Sequence, residues 1–118
     1  MIDVKEDTMT NEEISAVRDI IINTVECDKI YLFGSYANNT QREGSEFDIY
    51  VVLKNEDENP VFAEQNIYRK LSIRDGRHIP TDILVETKNK FNELCILPTI
   101  ERKIVREGVL LYDFARIT

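Results

Sequence analysis

Long apolar runs are missing from this 118-residue sequence. None approaches the roughly 20 residues that a membrane span needs. Cysteine is scarce: Cys27 and Cys95 lie far apart and outside any Cys-x-x-Cys spacing. A disulfide framework or a zinc site is therefore disfavoured, and two reduced, inert thiols in a cytoplasmic protein are expected. Runs of Lys and Arg are absent too, and 15 basic residues against 22 acidic ones leave a net charge of -7. Non-specific nucleic-acid binding draws most of its affinity from phosphate neutralisation by a basic face. A long polyanion is thus an unlikely partner by charge, whereas a small anion held through metal ions is not excluded. No repeat, low-complexity tract or Pro/Gly/Ser-rich linker divides the chain, and the acidic opening "MIDVKEDTMTNEE" has neither the charge nor the apolar core of a signal peptide. A single domain over residues 1–118 is the expectation.

What is present reads as an ordinary globular composition, 42% hydrophobic and 31% charged. Thr10 followed by Glu13 suggests a capping box, and Ile14, Val17, Ile21 and Val25 fall on one helical stripe, predicting a helix over 11–26. "KIYLF", 29–33, reads as a buried strand, broken by Gly34 and Ser35, with a short helix starting at Ser35. "EFDIYVVL", 46–53, is a second strand, and "VFAEQNIYRKLSIR" a helix running from about Pro60 to Gly76. "PTDILVE", 80–86, is a third strand, and "NKFNELC" is helical. Pro98 opens a further helix that Gly108 closes, and "VLLY" is either a last strand or a buried tail. The alternation predicts an α/β (α+β) fold, a small mixed sheet covered by helices, with its strand order left open.

Two acids in the second strand carry the chemistry. Side chains alternate along a strand, so Glu46 and Asp48 share a face while Phe47 and Ile49 point into the core. Their Cα atoms are about 6.5 Å apart at the usual strand rise. Carboxylates on that spacing can share hard divalent cations, and paired metals in phosphoryl-transfer sites lie roughly 3.5–4 Å apart. Asp82 interrupts the apolar run of the third strand, and if that strand lies beside 46–53 the three acids converge. Gly34 allows a close backbone approach to a ligand, and Ser35 at a helix start sits where phosphate is favoured. By contrast, His78 with Arg74 and Arg77 reads as a solvated loop, and Tyr31, Phe33 and Tyr68 as core aromatics.

Gly34-Ser35, ten residues, Glu46-Phe47-Asp48 and a later acid at Asp82 resemble the signature of the polymerase β-like nucleotidyltransferase superfamily. The likeness is greatest to its minimal members, the MNT domains, and extends to the strand before Gly34, to "SYA" after it and to "REGVLLYD" near the end. The resemblance implies transfer of a nucleoside monophosphate from ATP or another NTP with two Mg²⁺ ions. It implies Glu46, Asp48 and Asp82 as metal ligands, Asp82 also helping to deprotonate the acceptor, and Gly34 and Ser35 as triphosphate contacts. Glu46 departs from the more usual Asp, and Asn38 and Asn39 stand where a basic residue and a glycine are frequent; Asn tolerates the left-handed turn. MNT proteins are often paired with a HEPN-type helical toxin, to which they add AMP on a tyrosine, so a partner chain is expected to supply the acceptor. The rival expectation is a nucleotide-binding antitoxin subunit that acts by binding its partner without turnover. Leu110, Leu111, Tyr112 and Phe114 are candidate partner contacts, with packing on the chain's own sheet as their more ordinary use.

Overall fold

The computed structural model describes residues 8–117. Its elements are α1 (Thr8–Thr24), β1 (Cys27–Phe33), α2 (Ser35–Asn38), β2 (Phe47–Leu53), α3 (Pro60–Ser72), β3 (Thr81–Thr87), α4 (Lys88–Cys95), α5 (Ile100–Glu107), β4 (Val109–Asp113) and α6 (Phe114–Ile117). The four strands form one mixed sheet in the order β3-β2-β1-β4. β1 runs antiparallel to both its neighbours, and β2 and β3 are parallel. The mixed sheet with helices on both sides is the fold that the alternating pattern predicts.

Alternation along β1 and β2 divides the apolar side chains between two layers. Ile30, Leu32, Phe47, Ile49, Val51 and Leu53 are buried on one face with Ile14, Val17 and Ile21 of α1 and Ala63 and Ile67 of α3. Tyr31, Tyr50 and Val52 face the other way and pack with Phe91 of α4 and Ile104 of α5. Inside that second layer the Tyr50 hydroxyl donates to Glu101 Oε2 at 2.9 Å, tying α5 to β2 through a buried polar contact. No helix among the described residues is long and apolar enough to cross a membrane.

Several boundaries differ from the sequence expectation. α1 begins before Thr10, which is buried within the helix rather than capping it, and ends at Thr24. β1 starts two residues early, at Cys27, and β2 one residue late, at Phe47. α3 ends at Ser72; Gly76, with φ +85°, lies in the turn beyond. Its start is sharpened by Asn59, whose side chain accepts from the Val61 and Phe62 N–H groups. α5 is capped by Thr99, which accepts from the Arg102 N–H, so Pro98 precedes the cap instead of opening the helix. Gly108 does close α5, and "VLLY" is a strand, followed by the short α6 that sequence periodicity did not indicate. Leu110, Leu111 and Tyr112 are half-buried against the chain's own sheet, and Lys54 Nζ lies 3.8 Å from the centroid of the Phe114 ring. Each of these four residues thus has a contact within the chain while remaining partly exposed.

Candidate active site

Three residues stand in a row across the sheet. Phe33 pairs with Asp48 between β1 and β2, and Asp48 pairs with Asp82 between β2 and β3. Adjacent strands lie about 4.8 Å apart, so the two aspartates are close neighbours on the face that also carries Tyr50. Phe47 and Ile49 are fully buried on the opposite face. Glu46 is exposed and sits one residue ahead of β2, whose pairing begins where the Phe47 N–H donates to the Pro80 carbonyl at 2.9 Å.

Asp48 holds its proton above the usual carboxylate range, first because it is partly buried and then because Asp82 and Glu46 place like charge nearby. Among the described residues, no three His, Cys, Asp or Glu side chains are gathered closely enough to hold a metal ion. Like charges repel, and a cation bound beside them would offset that repulsion. The donors are all carboxylate oxygens and two of the three are register neighbours, a set whose chemistry fits a hard cation such as Mg²⁺.

Gly34 closes the site on the β1 side. Its φ of 75° and ψ of -153° belong to a region that essentially only glycine occupies. A Cβ here would also collide with Asp48 Oδ2 and lie 3.2 Å from its Cγ. The glycine is thus required twice, by its backbone and by the carboxylate that fills the space beside it. Ser35 is the first residue of α2, not its cap, and the Asn38 N–H returns to the Gly34 carbonyl at 3.1 Å. Asn39 ends the turn in the left-handed conformation, φ 58°, the geometry its side chain tolerates. Edge-on packing of Tyr36 against Phe47, centroids 4.7 Å apart, fixes this one-turn helix to the strand that carries Asp48.

Two residues of the site escaped the sequence reading. Lys103 of α5 lines a cleft of about 120 Å³ together with Phe33, Gly34, Asn38 and Ile104. Its ammonium lies on the side of Gly34 where Asn38 brings no charge, with the Glu107 carboxylate in the same lining; no pattern connects it to Gly34, because α5 reaches the cleft only through tertiary packing. Tyr68 was expected to be a core aromatic. Its ring is half-buried against the core, but its hydroxyl reaches the edge of the sheet and lies 3.1 Å from Asp82 Oδ1. Burial, more than any other influence, pushes that phenol above its usual range, so it remains a proton donor at neutral pH. Of the residues expected on a solvated loop, Arg77 and His78 are exposed, whereas Arg74 is partly buried and pairs with Glu13 at 3.3 Å. His78 is exposed and pairs with Glu13 at 2.9 Å, and burial pushes the Cys27 thiol up to about 12.

The family model described as polymerase beta, nucleotidyltransferase matches residues 15–116, from α1 to α6. This chain belongs to the polymerase beta nucleotidyltransferase family. Among solved structures, a provisionally assigned nucleotidyltransferase from Sulfolobus solfataricus is similar over 98% of this chain and 91% of that one, with 17% identity and a TM-score of 0.64. A toxin-antitoxin structure with AMP-PNP is similar over 89% of this chain and 76% of that one, at 20% identity and a TM-score of 0.54. A mutant of the MntA-HpeT toxin-antitoxin is similar over 86% and 74%, at 18% identity and a TM-score of 0.51. At these identities the likeness is one of fold. No curated protein matches the chain. Within the nucleotidyltransferase family the row of aspartates beside a glycine turn is the natural candidate for the active site.

Proposed function

We propose that the domain formed by residues 1–118 is a Mg²⁺-dependent nucleotidyltransferase of the cytoplasm, moving AMP from ATP to a hydroxyl on a partner protein. The carrying observation is the register pairing of Asp48 with Asp82 directly beside Gly34, whose missing Cβ lets the chain pack against the Asp48 carboxylate. Glu46, Asp48 and Asp82 would hold two Mg²⁺ ions, and Gly34 with Ser35 would cradle the triphosphate. Bound divalent cations would stabilise the charge that develops on the phosphoryl oxygens. The acceptor oxygen bonds to the α-phosphorus, the bond to the β-phosphate bridge breaks, and pyrophosphate leaves. Asp82 takes the acceptor proton, and Lys103 offers its ammonium to the tail of the triphosphate.

The acids lie on a face open to water, which would compete with the acceptor, so a partner that covers the face supplies both the hydroxyl and the exclusion of water. The similar folds include toxin-antitoxin assemblies, which supports a partner chain as the source of the hydroxyl; that the hydroxyl is a tyrosine of a HEPN-type toxin rests on the family resemblance. Incubation with labelled ATP, Mg²⁺ and the product of the adjacent gene, followed by mass spectrometry of both chains, tests the reading. One AMP on the partner is expected, and it should vanish with Asp48→Asn.

A second reading is favoured by Glu46, exposed and outside the strand. Mg²⁺ tolerates little geometric error. In this reading the chain binds nucleotide and partner and acts as an antitoxin subunit without turnover. Complex formation without AMP transfer is the outcome that distinguishes it.

A further inference from the structure

β3 is the edge of the sheet, so alternate backbone N–H groups of that strand face outward, away from β2. One of them, on Ile83, donates to the Tyr68 hydroxyl at 2.8 Å. The same hydroxyl lies 3.1 Å from Asp82 Oδ1 and 3.5 Å from the Ile83 carbonyl. A phenol has one proton to give, and the nearer, charged acceptor is the carboxylate. The hydroxyl therefore accepts from the backbone and donates to Asp82, which fixes it from two sides.

The helix behind it is itself held. Ala63, Ile67 and Leu71 bury one stripe of α3 in the main core, and Tyr68 packs against the same core with only its tip reaching the edge. Asp82, by contrast, is exposed on an edge strand, and an exposed carboxylate turns freely unless something holds it. No other hydrogen bond to the Asp82 side chain is found among the described residues.

We propose that Tyr68 is a positioning residue for the transfer site, setting the plane of the Asp82 carboxylate by holding Oδ1 so that Oδ2 is presented towards Asp48 and the divalent cation. This rests on the transferase reading of the acids. The phenol touches neither nucleotide nor acceptor; it acts only through Asp82. It also ties the cation site to α3, a helix that contributes none of the proposed ligands.

The test uses the Tyr68→Phe variant of the full chain, which removes one oxygen and leaves the ring in place. Melting temperature is followed while Mg²⁺ is titrated at fixed ATP, and ATP affinity is measured by calorimetry at saturating Mg²⁺. The variant is expected to need about three- to tenfold more Mg²⁺ for half of the response, the weight of one hydrogen bond to a charged group at a solvated edge. Its ATP affinity at saturating Mg²⁺ should stay within about twofold, because the phosphates do not contact Tyr68. If the wild type responds and the variant's Mg²⁺ midpoint is unchanged from it, the positioning role alone is overturned. Parallel weakening of Mg²⁺ and ATP overturns it as well, since loosening of β3 after loss of the Ile83 contact would act on both. A wild type with no response to Mg²⁺ and ATP overturns this inference together with the transferase reading.

Discussion

Replacing Gly34 by alanine adds one methyl group where both the backbone conformation and the Asp48 carboxylate oppose it. Two separate costs follow from the geometry. The first is conformational: φ 75° and ψ -153° is a glycine region, and an L-residue held there costs about 1–3 kcal/mol. The second is steric: the new Cβ would collide with Asp48 Oδ2 and crowd Cγ at 3.2 Å, so the carboxylate must turn away from its place beside Asp82. At roughly 4 °C per kcal/mol for a domain of this size, the strain alone lowers the melting temperature by about 4–12 °C. Displacement of Asp48 should abolish binding of ATP with Mg²⁺ at concentrations that saturate the wild type. A double variant, Gly34→Ala with Asp48→Ala, separates the two costs: it removes the collision but not the backbone strain, so part of the lost stability returns while binding does not. Thermal unfolding and calorimetric titration of the three proteins are the assays. A Gly34→Ala protein that melts with the wild type and binds ATP equally well would refute the close packing of Gly34 on Asp48.

The Asp48 carboxyl binds its proton more tightly folded than unfolded, because burial and then the charges of Asp82 and Glu46 disfavour the anion. The folded state therefore holds more protons just above the ordinary carboxylate range, and stability falls as pH rises through that window. Without metal, the wild type should gain stability on mild acidification, and Asp48→Asn should flatten that gain; an identical pH profile for both proteins in chemical denaturation speaks against it. Tyr50→Phe leaves Glu101, 9% exposed, without the hydroxyl that donates to it. A loss of about 1–3 kcal/mol is expected in urea unfolding, and a change within experimental error would show that water reaches this carboxylate. Lys103→Met should weaken ATP binding severalfold, most clearly at low salt; equal affinity across salt concentrations would remove Lys103 from the phosphate path.

Much of this site is legible along the chain because its parts are local. Gly34-Ser35 and Glu46-Phe47-Asp48 lie on one hairpin-like pair of strands, and strand alternation is enough to put Asp48 opposite the buried Phe47 and Ile49. The placement of Asp82 depends on β3 lying parallel to β2 in a register that sets the two aspartates opposite each other. Periodicity carries no information on that, and only the family resemblance pointed to it. Lys103 and Tyr68 stayed hidden for a related reason. Each sits on a helix whose stripe of apolar residues says which side is buried, not which strand end or carboxylate the remaining side chains reach. Helix ends were misplaced where polar residues compete for the cap, as with Thr99 ahead of α5 and Thr10 inside α1.

Calorimetric titration of ATP into the protein, with Mg²⁺ and then with a chelator, for wild type and Asp48→Asn, tests the central assignment most directly. The carboxylate row beside Gly34 predicts saturable binding by the wild type that needs Mg²⁺, and none by the variant, which remains folded. Equal binding by the two proteins, or binding that survives removal of Mg²⁺, would contradict it.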